Sequence, residues 1–168
     1  MDAHKRFFWI RDVMDIRSND RVLEIGCGVG LAVEAICPQL AKGKFVAIDK
    51  SASMLRKARE RNSDFIASGR CEFVETDLLS FDSQGKRFNK VLCFNINFFW
   101  TSLAEAEMEK IRSLLQGSKK VYIAYGPMVQ PYGKIERAVN ESLSSSGFKM
   151  LDATINENLK CCCFTCKA

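Results

Sequence analysis

Short apolar runs alternate along this chain with longer segments whose apolar positions fall every third or fourth residue. The first kind reads as buried strands and the second as amphipathic helices. Arg21-Val22-Leu23-Glu24-Ile25, Lys44-Phe45-Val46-Ala47-Ile48-Asp49, Cys71 to Asp77, Lys90-Val91-Leu92-Cys93-Phe94 and Lys120-Val121-Tyr122-Ile123-Ala124-Tyr125 are the first five strands. Ahead of them, Phe7, Ile10, Val13 and Met14 keep helical spacing and predict a helix across the sheet or a ligand cleft at its edge, with Phe8 and Trp9 off its stripe. A second helix runs from Leu31 to Cys37, before Pro38, and a third opens at Ser51 as N-cap with Met54, Leu55 and Ala58 inward. Another spans about Ser102 to Gln116, stopped by Gly117, with Leu103, Ala106, Ile111, Leu114 and Leu115 inward. The last covers about Gly133 to Ser145, after which Lys149 to Asn156 and Lys160 to Lys167 form an antiparallel pair closing the edge. Such alternation builds a mostly parallel sheet with right-handed crossovers.

Composition narrows the class. With 168 residues the expectation is one domain, 1–168, residues 1–19 being an N-terminal helical cap, and no separate substrate domain. A hydrophobic fraction of 47% beside 27% charged residues is that of a soluble globular protein. Met1 to Arg6 leads into no apolar stretch, so the expected location is the cytoplasm, without a membrane span. The formal charge of +5 raises the question of nucleic acid, but the densest bases, Arg56, Lys57, Arg59 and Arg61, share one helix and read as its solvated face. Eight cysteines sit mostly inside predicted elements and read as reduced core residues. Neighbours in Cys161-Cys162-Cys163-Phe164-Thr165-Cys166 point to opposite faces of a strand and cannot jointly enclose one metal, so none is expected.

The candidate chemistry gathers at the ends of the strands. Strand one runs into Gly26-Cys27-Gly28-Val29-Gly30, where missing Cβ atoms allow a tight turn and close approach of a ligand to a helix N-terminus. A dinucleotide fingerprint needs glycine at positions one, three and six, and the sixth from Gly26 is Leu31; no Gly-Lys-Ser/Thr follows either. Asp49 lies a little over twenty residues past the turn, where an acid accepts ribose hydroxyls, though it also reads as a helix cap, and Glu24 as a strand-end salt bridge. Cys27 reads as a reactive thiol or simply as a small residue between glycines. Four landmarks stand together: Glu-x-Gly-x-Gly-x-Gly, the strand ending at Asp49, the strand ending at Asp77, and Asn95-Ile96-Asn97-Phe98-Phe99-Trp100 after strand four. Across roughly residues 20 to 126 this set resembles the class I S-adenosylmethionine (SAM)-dependent methyltransferases, and the last segment resembles their type 11, ubiquinone-biosynthesis-related members.

The resemblance implies an α/β, Rossmann-like, doubly wound sheet of seven strands in the order 3-2-1-4-5-7-6, strand 7 antiparallel. It implies SAM as cofactor and S-adenosylhomocysteine as product. Glu24 and the backbone around Gly26 and Asn95 would hold the amino-acid end, Asp49 the ribose, and Asp77 with the N–H of Leu78 the adenine, with Met54 on its face; Cys27, Gly28, Gly30 and Lys50 complete the set. The acceptor would meet the first helix, Asn97 to Trp100 and Tyr125 to Tyr132. Candidates there are Phe8, Trp9, Asn97, Phe99, Trp100, Tyr125 and Tyr132, suited to an apolar or planar small molecule, with core or lid packing the other reading of the aromatics. No Asn/Asp-Pro-Pro-Tyr/Phe follows strand four, the pattern associated with methylation of exocyclic or amide nitrogen. The sole histidine, His4, reads as a terminal solvated residue, and no catalytic base is identified. An RNA methyltransferase and a non-enzymatic SAM-binding module are the alternatives.

Overall fold

The structure is a computed structural model that describes residues 3–101 and 104–168, with the backbone alone for Trp100, Thr101 and Ser118. Strands β1 (Arg21–Ile25), β2 (Lys44–Asp49), β3 (Cys71–Glu75), β4 (Phe88–Phe94), β5 (Leu115–Tyr125), β6 (Lys149–Asn156) and β7 (Cys161–Lys167) form one sheet, ordered β3-β2-β1-β4-β5-β7-β6. The first five pair in parallel, and β7 runs antiparallel to both β5 and β6. This is the order that the resemblance implied.

Helices α1 (Ala3–Met14), α2 (Leu31–Ile36) and α3 (Ala52–Arg61) bury Ile10, Met14, Val33 and Leu55 against one face of the sheet, where Val22, Phe45, Leu92 and Tyr122 point. After the short α4 (Ser63–Ala67) and α5 (Phe98–Thr101), α6 (Glu105–Leu114) and α7 (Tyr132–Ser145) set Met108, Ile111 and Val139 on the other, against Leu23, Ile25, Val91 and Ile123. Side chains alternate along a strand, so a strand apolar at nearly every position is one covered on both faces. In β7, Cys162, Phe164 and Cys166 join the α6–α7 side and Cys163 the α1–α3 side. All eight thiols are free and buried, and burial pushes those of Cys162 and Cys166 up to about 12, which keeps them protonated.

A buried cation holds α1 in place. Lys90 Nζ lies 2.7 Å from Asp20 Oδ2 and donates to the carbonyls of Met14 (2.8 Å) and Asp15 (2.5 Å) at the helix's end, to which Tyr122 OH adds a bond to Met14 O at 3.1 Å. Burial by itself would raise the Asp20 carboxyl, but hydrogen bonds from Arg17 N–H, Lys90 and Asn89, with the Lys90 charge, hold it below its ordinary value. Cutting away one member of such a pair costs about 3–5 kcal/mol, because the other charge is left buried.

Four sequence expectations need correction. Met54 is 40% exposed on α3, whose inward residues are Leu55 and Ala58. Ala106 is exposed on α6, because the buried stripe is phased on Met108, Ile111 and Leu114; Ser102 and Leu103 lie outside the described residues. Gly117 does not stop that helix. Leu115 already pairs with Phe88, and Gly117 (φ 64°) lies within β5, where the register shifts between Phe88 and Lys90. The chain also runs through Pro38 as a 3-10 turn, Cys37–Gln39, since proline in a first turn gives up an N–H that would have no partner there. Among the described residues no helix is long and apolar enough to cross a membrane.

Candidate functional site

The turn after β1 is held by its neighbour β2. The N–H groups of Gly26 and Cys27 donate to Ile48 O (2.8 and 3.0 Å), and Gly28 N–H donates to Asp49 Oδ2 at 2.8 Å. The other Asp49 oxygen accepts from Ser51 N–H at 2.9 Å, while Ser51 caps α3 by accepting from Met54 N–H. Asp49 thus organises both the turn and the approach to the cap. Gly28 has φ 52°, and a Cβ added there would meet no atom within 4 Å, so the position faces open space. A Cβ on Gly26 would instead overlap Ile96 Cδ1, and Gly30 packs against Asn62 and Ala58.

Beneath the turn, Glu24 is 1% exposed and its Oε2 has no hydrogen-bond partner among the described residues. Burial first, then the nearby Asp49 carboxylate, raises its carboxyl well above the usual range. Cys27 turns into the core, where burial, Glu24 and Asp49 push its thiol far upward. A thiol so strongly protonated is a poor nucleophile, leaving the small-residue reading of Cys27.

Two cavities open at the carboxyl ends of the strands. The first, about 510 Å³, is walled by Gly26, Asp49, Lys50, Asp77, Leu78 and Asn95 among the expected residues. Thr76, Leu79, Ile96, Phe98 and Glu107 also line it; Ile96 and Phe98 fall in the segment after strand four that the sequence singled out, whereas Thr76, Leu79 and Glu107 were not expected there. Glu107 carries no sequence signal, since an acid in the first turn of a helix is ordinary. Asp77 accepts from both Ser80 N–H and Ser80 Oγ–H at 2.9 Å, which hold its carboxyl below the usual value.

The second cavity, about 570 Å³, lies between Tyr125, Pro127, Met128, Val129 and Ile135, with Gln130 and Lys134 as further polar lining. Asn95 and Asn97 line both cavities. Asn95, at φ 55°, ties the end of β4 to that of β5: its Nδ2 donates to Gly126 O (2.8 Å) and its Oδ1 accepts from Gly126 N–H (2.9 Å). Tyr125 OH adds a bond to Ile96 O at 3.1 Å.

Other candidates fall elsewhere. Phe99 is buried in the α6–α7 core, and Trp9 is half-buried against the core under α1 and α2. Phe8 is 42% exposed beneath the Arg11 guanidinium, and Tyr132 stacks on Phe164 while its OH donates to Glu136. The side chain of Trp100 lies outside the described residues. His4 Nδ1 stands 3.7 Å from Glu34 Oε2, on the α1–α2 surface.

A family model for a methyltransferase domain matches residues 22–117, more than half of the chain. YrhH of Bacillus subtilis (strain 168), a protein assigned provisionally as a methyltransferase, is 28% identical over 152 residues, 90% of this chain and 80% of its own length. The malonyl-[acyl-carrier protein] O-methyltransferase of Bacillus cytotoxicus is 29% identical over 58% of this chain and 32% of that protein. The crystal structure of magnesium protoporphyrin IX methyltransferase (ChlM) from Synechocystis PCC 6803, solved with bound SAM, superposes with a TM-score of 0.73 at 17% identity, covering 98% of this chain and 78% of that one. The matched segment takes in the glycine turn, Asp49, Asp77 and Asn95, and the chain belongs to the methyltransferase-domain family as a class I SAM-dependent methyltransferase.

Proposed function

We propose that this methyltransferase delivers its methyl group to a small-molecule acceptor seated in the 570 Å³ cavity beside the cofactor's. The observation that carries the reading is the adjacency of two cavities, each of a size suited to a small ligand, with Asn95 and Asn97 in both walls.

The residues of the first cavity fit SAM. Each Asp49 oxygen has spent one acceptor position on a backbone N–H and keeps capacity for ribose hydroxyls; Asp77, accepting from the N–H and the hydroxyl of Ser80, likewise keeps capacity for an adenine amino group. Leu78 N–H would donate to the ring, and Ile48, Leu79 and Phe98 supply apolar wall. The orphaned Oε2 of Glu24 suits a cationic amino group near Gly26 and Asn95, and the open space beside Gly28 is where a ligand would approach the backbone. Met54 is 40% exposed at the start of α3 and does not line this cavity.

SAM supplies a methyl group on a positive sulfur, a good neutral leaving group for in-line displacement. The chain's contribution is to hold the acceptor in line with it and keep water out, and such positioning supplies much of the acceleration. Asn95, fixed at both ends of its amide, and Tyr125, fixed to Ile96, keep the shared wall rigid.

Calorimetry with SAM and S-adenosylhomocysteine tests the cofactor site. Incubation of a cell extract with methyl-labelled SAM, followed by identification of the product, tests the acceptor. A labelled product in the metabolite fraction is expected. Label confined to RNA, with binding that weakens steeply with salt, would overturn the small-molecule reading.

A further inference from the structure

The charged groups divide unevenly between the cavities. The first is lined by three carboxylates, Asp49, Asp77 and Glu107, against the one cation Lys50. The lining of the second contains no carboxylate, and its one charged side chain is Lys134. Among the described residues no carboxylate oxygen lies within ion-pair distance of Lys134 Nζ, which donates at a long 3.3 Å to the neutral amide of Gln130. Lys134 also stands in the first turn of α7, where the helix dipole disfavours a cation, and no acid occupies that turn to offset it. Its position is electrostatically poor without a ligand and good with an anion.

We infer that the acceptor combines an apolar body with a carboxylate: the body lies along Tyr125, Pro127, Met128, Val129 and Ile135, and the carboxylate pairs with Lys134. This rests on the reading of the second cavity as the acceptor site. Apolar burial supplies the affinity, and the ammonium selects charge and sets which end of the acceptor reaches Asn95 and Asn97. A lysine in this role is a specificity residue outside the reacting atoms. An exposed pairing of this kind changes affinity by about fivefold.

The probes are octanoate, heptan-1-ol and heptylammonium, equal in apolar chain and different in charge. Each is titrated by calorimetry into the wild type, Lys134→Met and Lys134→Arg, all saturated with S-adenosylhomocysteine. The wild type is expected to bind octanoate about fivefold more tightly than heptan-1-ol and heptylammonium more weakly than either. Lys134→Met should abolish the preference, and Lys134→Arg should retain it. The titration of S-adenosylhomocysteine itself, unchanged in all three proteins, separates the two readings. Its failure in the folded wild type would sink the cofactor assignment, whereas normal cofactor binding with octanoate and heptan-1-ol equal would sink only the anion inference. Failure of all three probes to bind, or a preference for octanoate that survives Lys134→Met, would also overturn the inference.

Discussion

The two cavities that meet at Asn95 and Asn97 are built from opposite materials. One is walled by strand ends and the turns that follow them, and its polar groups are acids already bonded to backbone N–H groups: Asp49 to Gly28 and Ser51, Asp77 to Ser80. The other is walled by the segment after β5 and the first turn of α7, where Val129 is 89% exposed and Lys134 has an amide for company. The difference separates two tasks. On the proposed reading a shared cofactor would be gripped by parts the sheet itself fixes, while the acceptor would meet side chains that can change without disturbing the fold.

Gly28→Val should open the widest gap between the cavities. The new side chain would fill space that is empty of protein atoms, so the folded state bears mainly the left-handed backbone, about 1–2 kcal/mol. The ligand meets the branched side chain directly, and affinity for S-adenosylhomocysteine should fall by roughly a hundredfold or more. Calorimetry paired with thermal melting reads both; normal binding in a folded variant would mean that the glycine serves the turn alone.

Asp49→Ala should weaken the same ligand by roughly ten- to a hundredfold, the worth of hydrogen bonds to a charged group. Because Gly28 N–H and Ser51 N–H both lose their acceptor, it should also cost about 1–2 kcal/mol of stability. Asp49→Asn keeps one amide oxygen for the backbone. If the alanine variant melts lower yet binds with wild-type affinity, Asp49 organises the turn and nothing more.

Asn95→Ala strikes the shared wall. Two hydrogen bonds to Gly126 and a residue tolerant of φ 55° are lost together, for about 2–3 kcal/mol of stability, and binding in both cavities should suffer. Asn95→Gly should recover the conformational share, about 1 kcal/mol, without restoring either bond. Thermal melts of the pair that coincide would contradict this division.

Glu24, buried beneath the glycine turn, gives the stability of that end of the sheet a pH signature. Its carboxyl is raised in the folded protein, so above about pH 4.3 the unfolded chain releases the proton and the folded chain keeps it. Stability therefore declines as pH rises, by at most about 1.4 kcal/mol per unit from this group, until Glu24 itself ionises. Glu24→Gln should remove that slope and raise the melting temperature at pH 8 while weakening SAM. Parallel melting profiles for variant and wild type between pH 5 and 8 would show that Glu24 makes no such contribution.

The smallest change is expected from Met128→Ala, which touches the second cavity alone. An apolar probe there should lose about fivefold in affinity, the worth of roughly 1 kcal/mol of apolar burial. S-adenosylhomocysteine should bind within about twofold of wild type. A larger loss of the cofactor would mean that the cavities are not separable.

What could be read from residue order was what depends on local chemistry. Strand runs buried on both faces, the Ser51 cap, the glycine turn and acids at the ends of β2 and β3 each carry their signal within a few residues. Sheet order followed from resemblance, since nothing in five apolar runs says which neighbours which.

Tertiary structure decided the rest, because it depends on groups far apart in the chain. Only the packed sheet shows Glu24 Oε2 without a hydrogen-bond partner among the described residues, Asn95 spanning to Gly126, 31 residues away, and Lys90 holding the end of α1 from 76 residues away. It turned Met54 outward and Phe99 inward by the phase of their helices on the core, which composition does not reveal. Lys134, one base among 25 lysines and arginines, acquires meaning only from the cavity it faces and from the acids that are missing there. Sequence determines which groups can bond to near neighbours; which remain unbonded and turned toward a ligand is settled by the long-range contacts that fold the sheet.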